Sequence, residues 1–317
     1  MRTGLFNRGI FWIAGALFAP LVAVAGPVII GGTDADDHGN ATPSTNQDGW
    51  LYLQKGLESV AEKVKNGQKV VVCLGCNNQV AANAFFSAFD KSNLPAKGWV
   101  RRAVLTTADF NVFFSASLVA GTTNIFSTGV IYMPSDRVNA LGGLSEAQLD
   151  LINAQSSALG EHVKNGGGLF AQTQAGLPNG FGWLKTLVPG LTISTDLAPD
   201  TANLTLTARS LADFPALTAT VLGSASHWHS NFGGAQGGLA VLASGTVTSG
   251  ASGGDGPKAI GDVAAILGGA DVSFAGALGR DEASFKVPVG GAPAHVLLAA
   301  LLVLVVALRR AFARRTR

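Results

Sequence analysis

Short, continuously apolar runs separated by helix-patterned segments constrain this chain more than any other feature. Residues 27–30 read Pro-Val-Ile-Ile, 69–74 Lys-Val-Val-Val-Cys-Leu and 168–172 Gly-Leu-Phe-Ala-Gln, and further strands are expected at 99–105 and 128–133. A strand with apolar side chains on both faces belongs in a parallel sheet covered by helices on both sides. Residues 50–64 place Leu53, Leu57, Val60 and Val64 on one helical face and end at Asn66-Gly67. Residues 78–89 form a second apolar helix, stopped near Pro95. Ser145-Glu-Ala-Gln148 is a capping box; it opens a helix through Leu149, Ile152 and Leu159 to Val163, closed at Asn165-Gly166. The expected fold is α/β, a doubly wound, mostly parallel sheet. From Leu191 the rhythm changes, and Leu and Thr alternate through 204–207 as a β-rich edge. Residues 237–243 predict one more buried strand, and 259–267 a short helix or strand that closes the fold.

The two ends read as addresses. Arg2 and Arg8 precede an apolar core at 10–24, and Ala23-Val24-Ala25 is a small-x-small cleavage site, so residues 1–25 are expected to be a signal peptide. An uncleaved N-terminal anchor is the alternative. Residues 287–308 carry no formal charge, and Arg309, Arg310, Arg314, Arg315 and Arg317 follow. A stretch of this length spans a bilayer, and the arginines place its end on the cytoplasmic side, so the folded domain lies outside. Residues 26–274 are the expected domain, 275–286 a Gly/Ala-rich linker and 287–317 a C-terminal signal with a transmembrane helix.

The formal charge of +2 belongs to these ends. Seven of the 22 basic residues and none of the 20 acidic ones lie there, which leaves 15 against 20, a net of −5 for the domain. Charged residues are only 13% of the chain, about half the usual share. A mildly acidic, weakly charged domain is not expected to bind nucleic acid. A neutral extracellular polymer or glycan suits it better.

The order of short motif (Val287-Pro288-Val289-Gly290-Gly291-Ala292-Pro293), apolar helix and Arg cluster resembles the bacterial sorting signals read by exosortase-type transpeptidases. It is most similar to the IPTL-CTERM branch of the PEP-CTERM group. Gly290-Gly291 leaves a rhombosortase-type signal open, and a permanent single-pass anchor is the other reading. The resemblance implies export, a membrane-held intermediate, a sorting transpeptidase as partner and a final place on the outer surface or outside the cell.

In the domain, the strand–helix order, Gly166-Gly-Gly-Leu-Phe-Ala-Gln-Thr-Gln-Ala-Gly176 and Phe214-Pro215-Ala-Leu-Thr218 resemble the class I glutamine-amidotransferase-like superfamily, which has a flavodoxin-like fold. That family places a nucleophilic Cys in the turn after the fifth strand. Here the turn is Gln172-Thr173-Gln174, so glutamine hydrolysis is not expected. Thr173 is the one hydroxyl nucleophile available there, with no base assigned to it.

Three clusters carry the remaining chemistry. Cys73-Leu-Gly-Cys76 follows a strand and, in an oxidising compartment, is expected to form a local disulfide or two packed thiols; a redox pair is the alternative. Asp34, Asp36 and His38 have the one-three-five spacing of a calcium loop with Gly39 at six, but Thr45 stands where the bidentate Glu belongs. With Asp37 this loop follows the first strand, at the edge where open α/β sheets bind ligands. Capping of backbone amides is the bland role for such aspartates. His227-Trp228-His229 places two imidazoles on one side of an extended segment, able to share a metal with Asp34 or Asp36. Trp228 also suits a ligand-facing loop. The expectation is an exported, non-catalytic binding domain; the rival is a metal-assisted hydrolase using a divalent cation on Asp34, Asp36, His227 and His229. The rival requires the loop after residue 30 and the loop at 227–229 to meet.

Overall fold

The computed structural model describes residues 25–115, 122–195, 204–223, 228–247, 252–253, 256–257 and 261–274. Residues 1–24 of the expected signal peptide, the linker at 275–286, the sorting signal at 287–317 and His227 lie outside the described residues. No described helix is long and apolar enough to cross a membrane.

The chain runs through β1 (Gly26–Gly31), a hairpin of β2 (Gly39–Ala41) and β3 (Asn46–Asp48), α1 (Gly49–Lys63), β4 (Val70–Leu74), α2 (Val80–Asp90) and β5 (Val100–Val104). It continues with α3 (Thr107–Phe113), β6 (Val130–Met133), α4 (Glu146–Ala154), α5 (Ser156–Lys164), β7 (Gly168–Ala171) and α6 (Gly182–Leu187). The last third holds β8 (Leu191–Thr195), β9 (Thr205–Leu206), α7 (Ala208–Asp213), α8 (Ala219–Gly223), β10 (Ser230–Gly234) and β11 (Ala240–Val247). The short pair β12 (Ser252–Gly253) and β13 (Gly256–Pro257) precedes β14 (Gly261–Val272).

The architecture is α/β, with ten strands in one sheet in the order β5-β4-β6-β7-β1-β14-β10-β8; β11 pairs with β14, and β9 with β11. From β5 to β1 every pairing is parallel. From β14 onward every pairing is antiparallel. β1, β4, β6 and β7 are buried on both faces, as their unbroken apolar sequences require, whereas the edge strand β5 carries Arg101 and Arg102 and is mostly exposed or half-buried. Val28 and Ile30 pack on one face with Leu169, Ile131 and the apolar sides of α3 to α6. Ile29 packs on the other with Phe170, Tyr132 and Val71, under Leu53, Leu57 and Val60 of α1 and Phe85 and Phe89 of α2.

Ser145 caps α4 with both bonds of the expected box, and Gln148 returns the contact at 2.8 Å. The expected long helix divides at Gln155 into α4 and α5. The β-rich edge is far larger than a fringe. Residues 259–267, read as helix or strand, fall largely within the twelve-residue β14, which joins the two halves of the sheet. The strand expected at 237–243 begins three residues later, because Gly237 and Gly238 have positive φ and make the preceding turn. Helix α3 went unread, although Thr106 and Asp109 form a second capping box there.

His162 near the end of α5 is buried among these layers, with Nε2 3.2 Å from the Gly168 carbonyl. Burial pushes its pKa down to about 4, against hydrogen bonds that favour the cation. The unfolded imidazole takes its proton near the ordinary value of about 6.5, so the stability His162 contributes is complete above that pH and is lost as pH falls towards 4. Asp36, whose carboxyl burial raises to about 7, acts in the opposite direction over part of this range. Comparison with His162→Gln cancels that opposing effect. Wild type is expected to lose on the order of 3 kcal/mol more than the variant between pH 7 and pH 4, read from urea unfolding.

Candidate functional site

The loops at the carboxyl ends of β1, β6 and β7 and the start of β10 meet at one edge of the sheet. Gly32 makes the meeting possible. Its carbonyl accepts from the backbone N–H groups of His229 at 2.7 Å and Ser230 at 3.0 Å, and its own N–H donates to Ala265 at 3.1 Å. A Cβ at residue 32 would stand 1.9 Å from the Ser230 carbonyl oxygen, so only glycine fits. Thr33 then forms a bridge with Trp228 and accepts a hydrogen bond from the Thr173 N–H at 2.9 Å. Beyond it the loop turns, Asp37 N–H donating to the Asp34 carbonyl at 2.8 Å and Gly49 N–H to the His38 carbonyl at 2.7 Å.

This path brings Asp34, His38 and His229 together. Asp34 Oδ2 is 2.9 Å from His229 Nε2 and 3.2 Å from His38 Nε2. The three residues each offer one ligand atom, all within 4.8 Å of one another. The Asp34 side chain is only 3% exposed, whereas His38 and His229 are about a third exposed, at 32% and 34%. The carboxylate is therefore anchored in the protein, and the imidazoles form the rim. Asp34 Oδ1 is buried with no hydrogen-bond partner among the described residues. Two imidazole nitrogens and a carboxylate oxygen suit a transition metal better than calcium, which takes six or more oxygen ligands. Tetrahedral ligands about 2 Å from a zinc ion lie ~3.3 Å apart, close to the spacing from Asp34 to each imidazole.

The other expected site residues take different places. Asp36 does not join the triad; it is fully buried and binds Ser135, Oδ2 accepting from the backbone N–H at 2.8 Å and Oδ1 from Oγ at 2.6 Å. Burial raises its pKa to about 7, the Ser135 bonds pull it down, and nearby Asp34 adds a smaller upward push. Asp37 is exposed, its Oδ2 3.9 Å from His38 Nε2. Trp228 is not an open ligand-facing residue: it is 1% exposed, with its ring edge-on to Tyr52 at 6.3 Å. His227 lies outside the described residues. Thr173 is fully buried, its Oγ1 2.7 Å from Ser230 Oγ. It has no strained elbow geometry, since positive φ among the described non-glycine residues occurs at Asp48, Asn78 and Phe181. Cys73 and Cys76 form a disulfide across the turn at the end of β4, and both are fully buried.

Ser135, Asp136, Ser230 and the tyrosines Tyr52 and Tyr132 behind the triad were not among the expected site residues. Asp136 accepts from the N–H groups of Val138 and Gly176 at 2.9 Å and 2.8 Å, tying the loop after β6 to the turn after β7. The signal for Ser135-Asp136 was available: they follow an apolar strand directly, the position at which ligands meet open α/β sheets.

Comparisons with protein-family models, with curated proteins and with solved structures return no match for this chain. Gly32→Ala is expected to cost roughly 1–3 kcal/mol in urea unfolding, because the added carbon collides with backbone that cannot swing aside.

Proposed function

We propose that this chain is an exported, surface-associated α/β binding domain that takes a divalent transition-metal ion on Asp34, His38 and His229. The observation that carries the reading is the convergence of one buried carboxylate and two rim imidazoles at the carboxyl edge of the sheet. Three protein ligands leave a tetrahedral ion one open position. That position holds water or an oxygen of the bound partner, for which a neutral extracellular polymer or glycan fits the weakly charged domain. Metal-assisted hydrolysis is the second reading, favoured by the same open position. Asp36 is not its base, since Ser135 occupies both carboxyl oxygens.

The remaining parts rest on sequence likeness. Export follows from the signal peptide, and processing by a sorting transpeptidase from Val287, Pro288, Gly290 and Gly291 ahead of the apolar helix and the Arg cluster. The flavodoxin-like, amidotransferase-like reading of the domain draws support from strand order. Counted from β4, the sequence β5-β4-β6-β7 has the 2-1-3-4 order of flavodoxin-like sheets, with β1 in the fifth place.

Titration with Zn²⁺ followed by calorimetry is expected to give one site per chain. Asp34→Ala, His38→Ala and His229→Ala are each expected to weaken it more than ~100-fold, beyond the usual cost of losing an outer-shell partner. Full retention by all three variants removes the metal reading. His227→Ala is expected to keep the site, which separates this triad from a His227–His229 pair. Turnover of a hydrolysable glycan or ester by the zinc-loaded protein would favour the hydrolase. Intact mass of the exported protein is expected to lack residues 1–25 and the tail arginines; a mass that retains the arginines refutes processing.

A further inference from the structure

Behind the triad, on the sheet face covered by α1 and α2, several buried polar atoms have no hydrogen-bond partner among the described residues. Phe170 of β7 is the centre of the group. Tyr132 is its register partner on β6, with the rings 5.5 Å apart. Tyr52 of α1 stands edge-on to Phe170 at 5.7 Å and to Trp228 at 6.3 Å. Gln172 follows Phe170 by two residues and so shares its face. On the adjoining β1 lies Gly31, where a Cβ would come 3.0 Å from the Tyr52 hydroxyl. Tyr52, Tyr132 and Gln172 are 0% exposed and Trp228 is 1% exposed.

Five polar atoms of these four residues have no hydrogen-bond partner among the described residues: Tyr52 Oη, Tyr132 Oη, Gln172 Oε1, Gln172 Nε2 and Trp228 Nε1. Native proteins pair nearly all such groups, and a site that leaves several together is the usual home of bound water or a polar ligand. Their chemistry narrows the guest. Two phenols donate and accept, the amide does both, and the indole donates. None carries a charge, and burial raises the pKa of both phenols, which keeps them neutral. Asp36, whose charge is felt at Tyr132, is held on both oxygens by Ser135. An anion or a cation would find no counter-charge in this set.

We infer that Tyr52, Tyr132, Gln172 and Trp228 form an enclosed site for neutral hydroxyl groups, filled by water or by the hydroxyls of a small polyol. Trp228 precedes His229 and bridges to Thr33, so the guest supports the strand that presents one imidazole of the triad. This site is separate from the metal reading and stands if that reading fails.

The test uses the sign of a stability change. If a guest pairs the hydroxyls, Tyr52→Phe and Tyr132→Phe each remove a hydrogen bond and lower the urea midpoint. If the hydroxyls are unpaired, deleting them relieves a buried polar group and leaves the midpoint unchanged or higher. A high-resolution crystal structure of the full chain then identifies the guest. Single-atom density bridging the four residues, with glycerol and erythritol raising the melting temperature equally in wild type and Gln172→Leu, assigns water. A larger rise in wild type than in Gln172→Leu assigns a polyol. Phenylalanine variants as stable as wild type or more so, together with an empty chamber in the density, overturn the inference.

Discussion

The antiparallel pairing of β14 against β1 is the constraint on which the rest of the sheet edge depends. β1 lies parallel to β7 on one side and antiparallel to β14 on the other, with Ile30 opposite both Ala171 and Leu267. Beyond the end of β1 the same side of β14 meets β10 at Phe232. The loop after β1 and the start of β10 therefore abut along one strand. His229 reaches Asp34, 195 residues away in the chain, because both follow that seam. The seam closes only if the backbone at residue 32 carries no side chain.

Two kinds of polar group occupy this edge, and they behave differently. Asp36, Asp136 and Thr173 spend their hydrogen-bonding capacity on neighbouring loops, so they fix the scaffold. Asp34 is buried on one oxygen and shares the other with two partly exposed imidazoles, which sets three potential metal ligands side by side at the edge of the sheet. Burial beside a polar rim is how a protein holds a metal ligand rigid while solvent reaches the ion. The low overall charge is consistent with this arrangement, since the chemistry is concentrated in a few atoms rather than spread as a field.

Legibility followed the range of the interactions. β1, β4, β6 and β7 were readable because burial on both faces demands unbroken apolar runs, and α1 and α4 because amphipathic spacing and a capping box are local. β14 was ambiguous: Gly, Ala and Asp interrupt its twelve residues, and its pairing with β1, β10 and β11 outweighs weak local preference. In the site, Asp34, Asp36, His227 and His229 stood out as residue types able to bind metal, and His38 only as the fifth position of a calcium-like spacing. The division of labour between Asp34 and Asp36 did not. Alternate residues in a tight loop point different ways, and Ser135, the partner that claims Asp36, is 99 residues distant.

The sequence by itself determined the α/β class, the order of apolar strands and covering helices, the weak net charge of the domain and the set of residues able to do chemistry. These follow from composition and from periodicities of a few residues, which each segment carries alone. The tertiary structure decided that the sheet is half antiparallel, that Asp36 and Thr173 are structural, that Trp228 faces inward and that His38 joins Asp34 and His229. Each of these depends on which distant strand occupies the neighbouring place in the sheet, and that choice belongs to the packing of the whole chain.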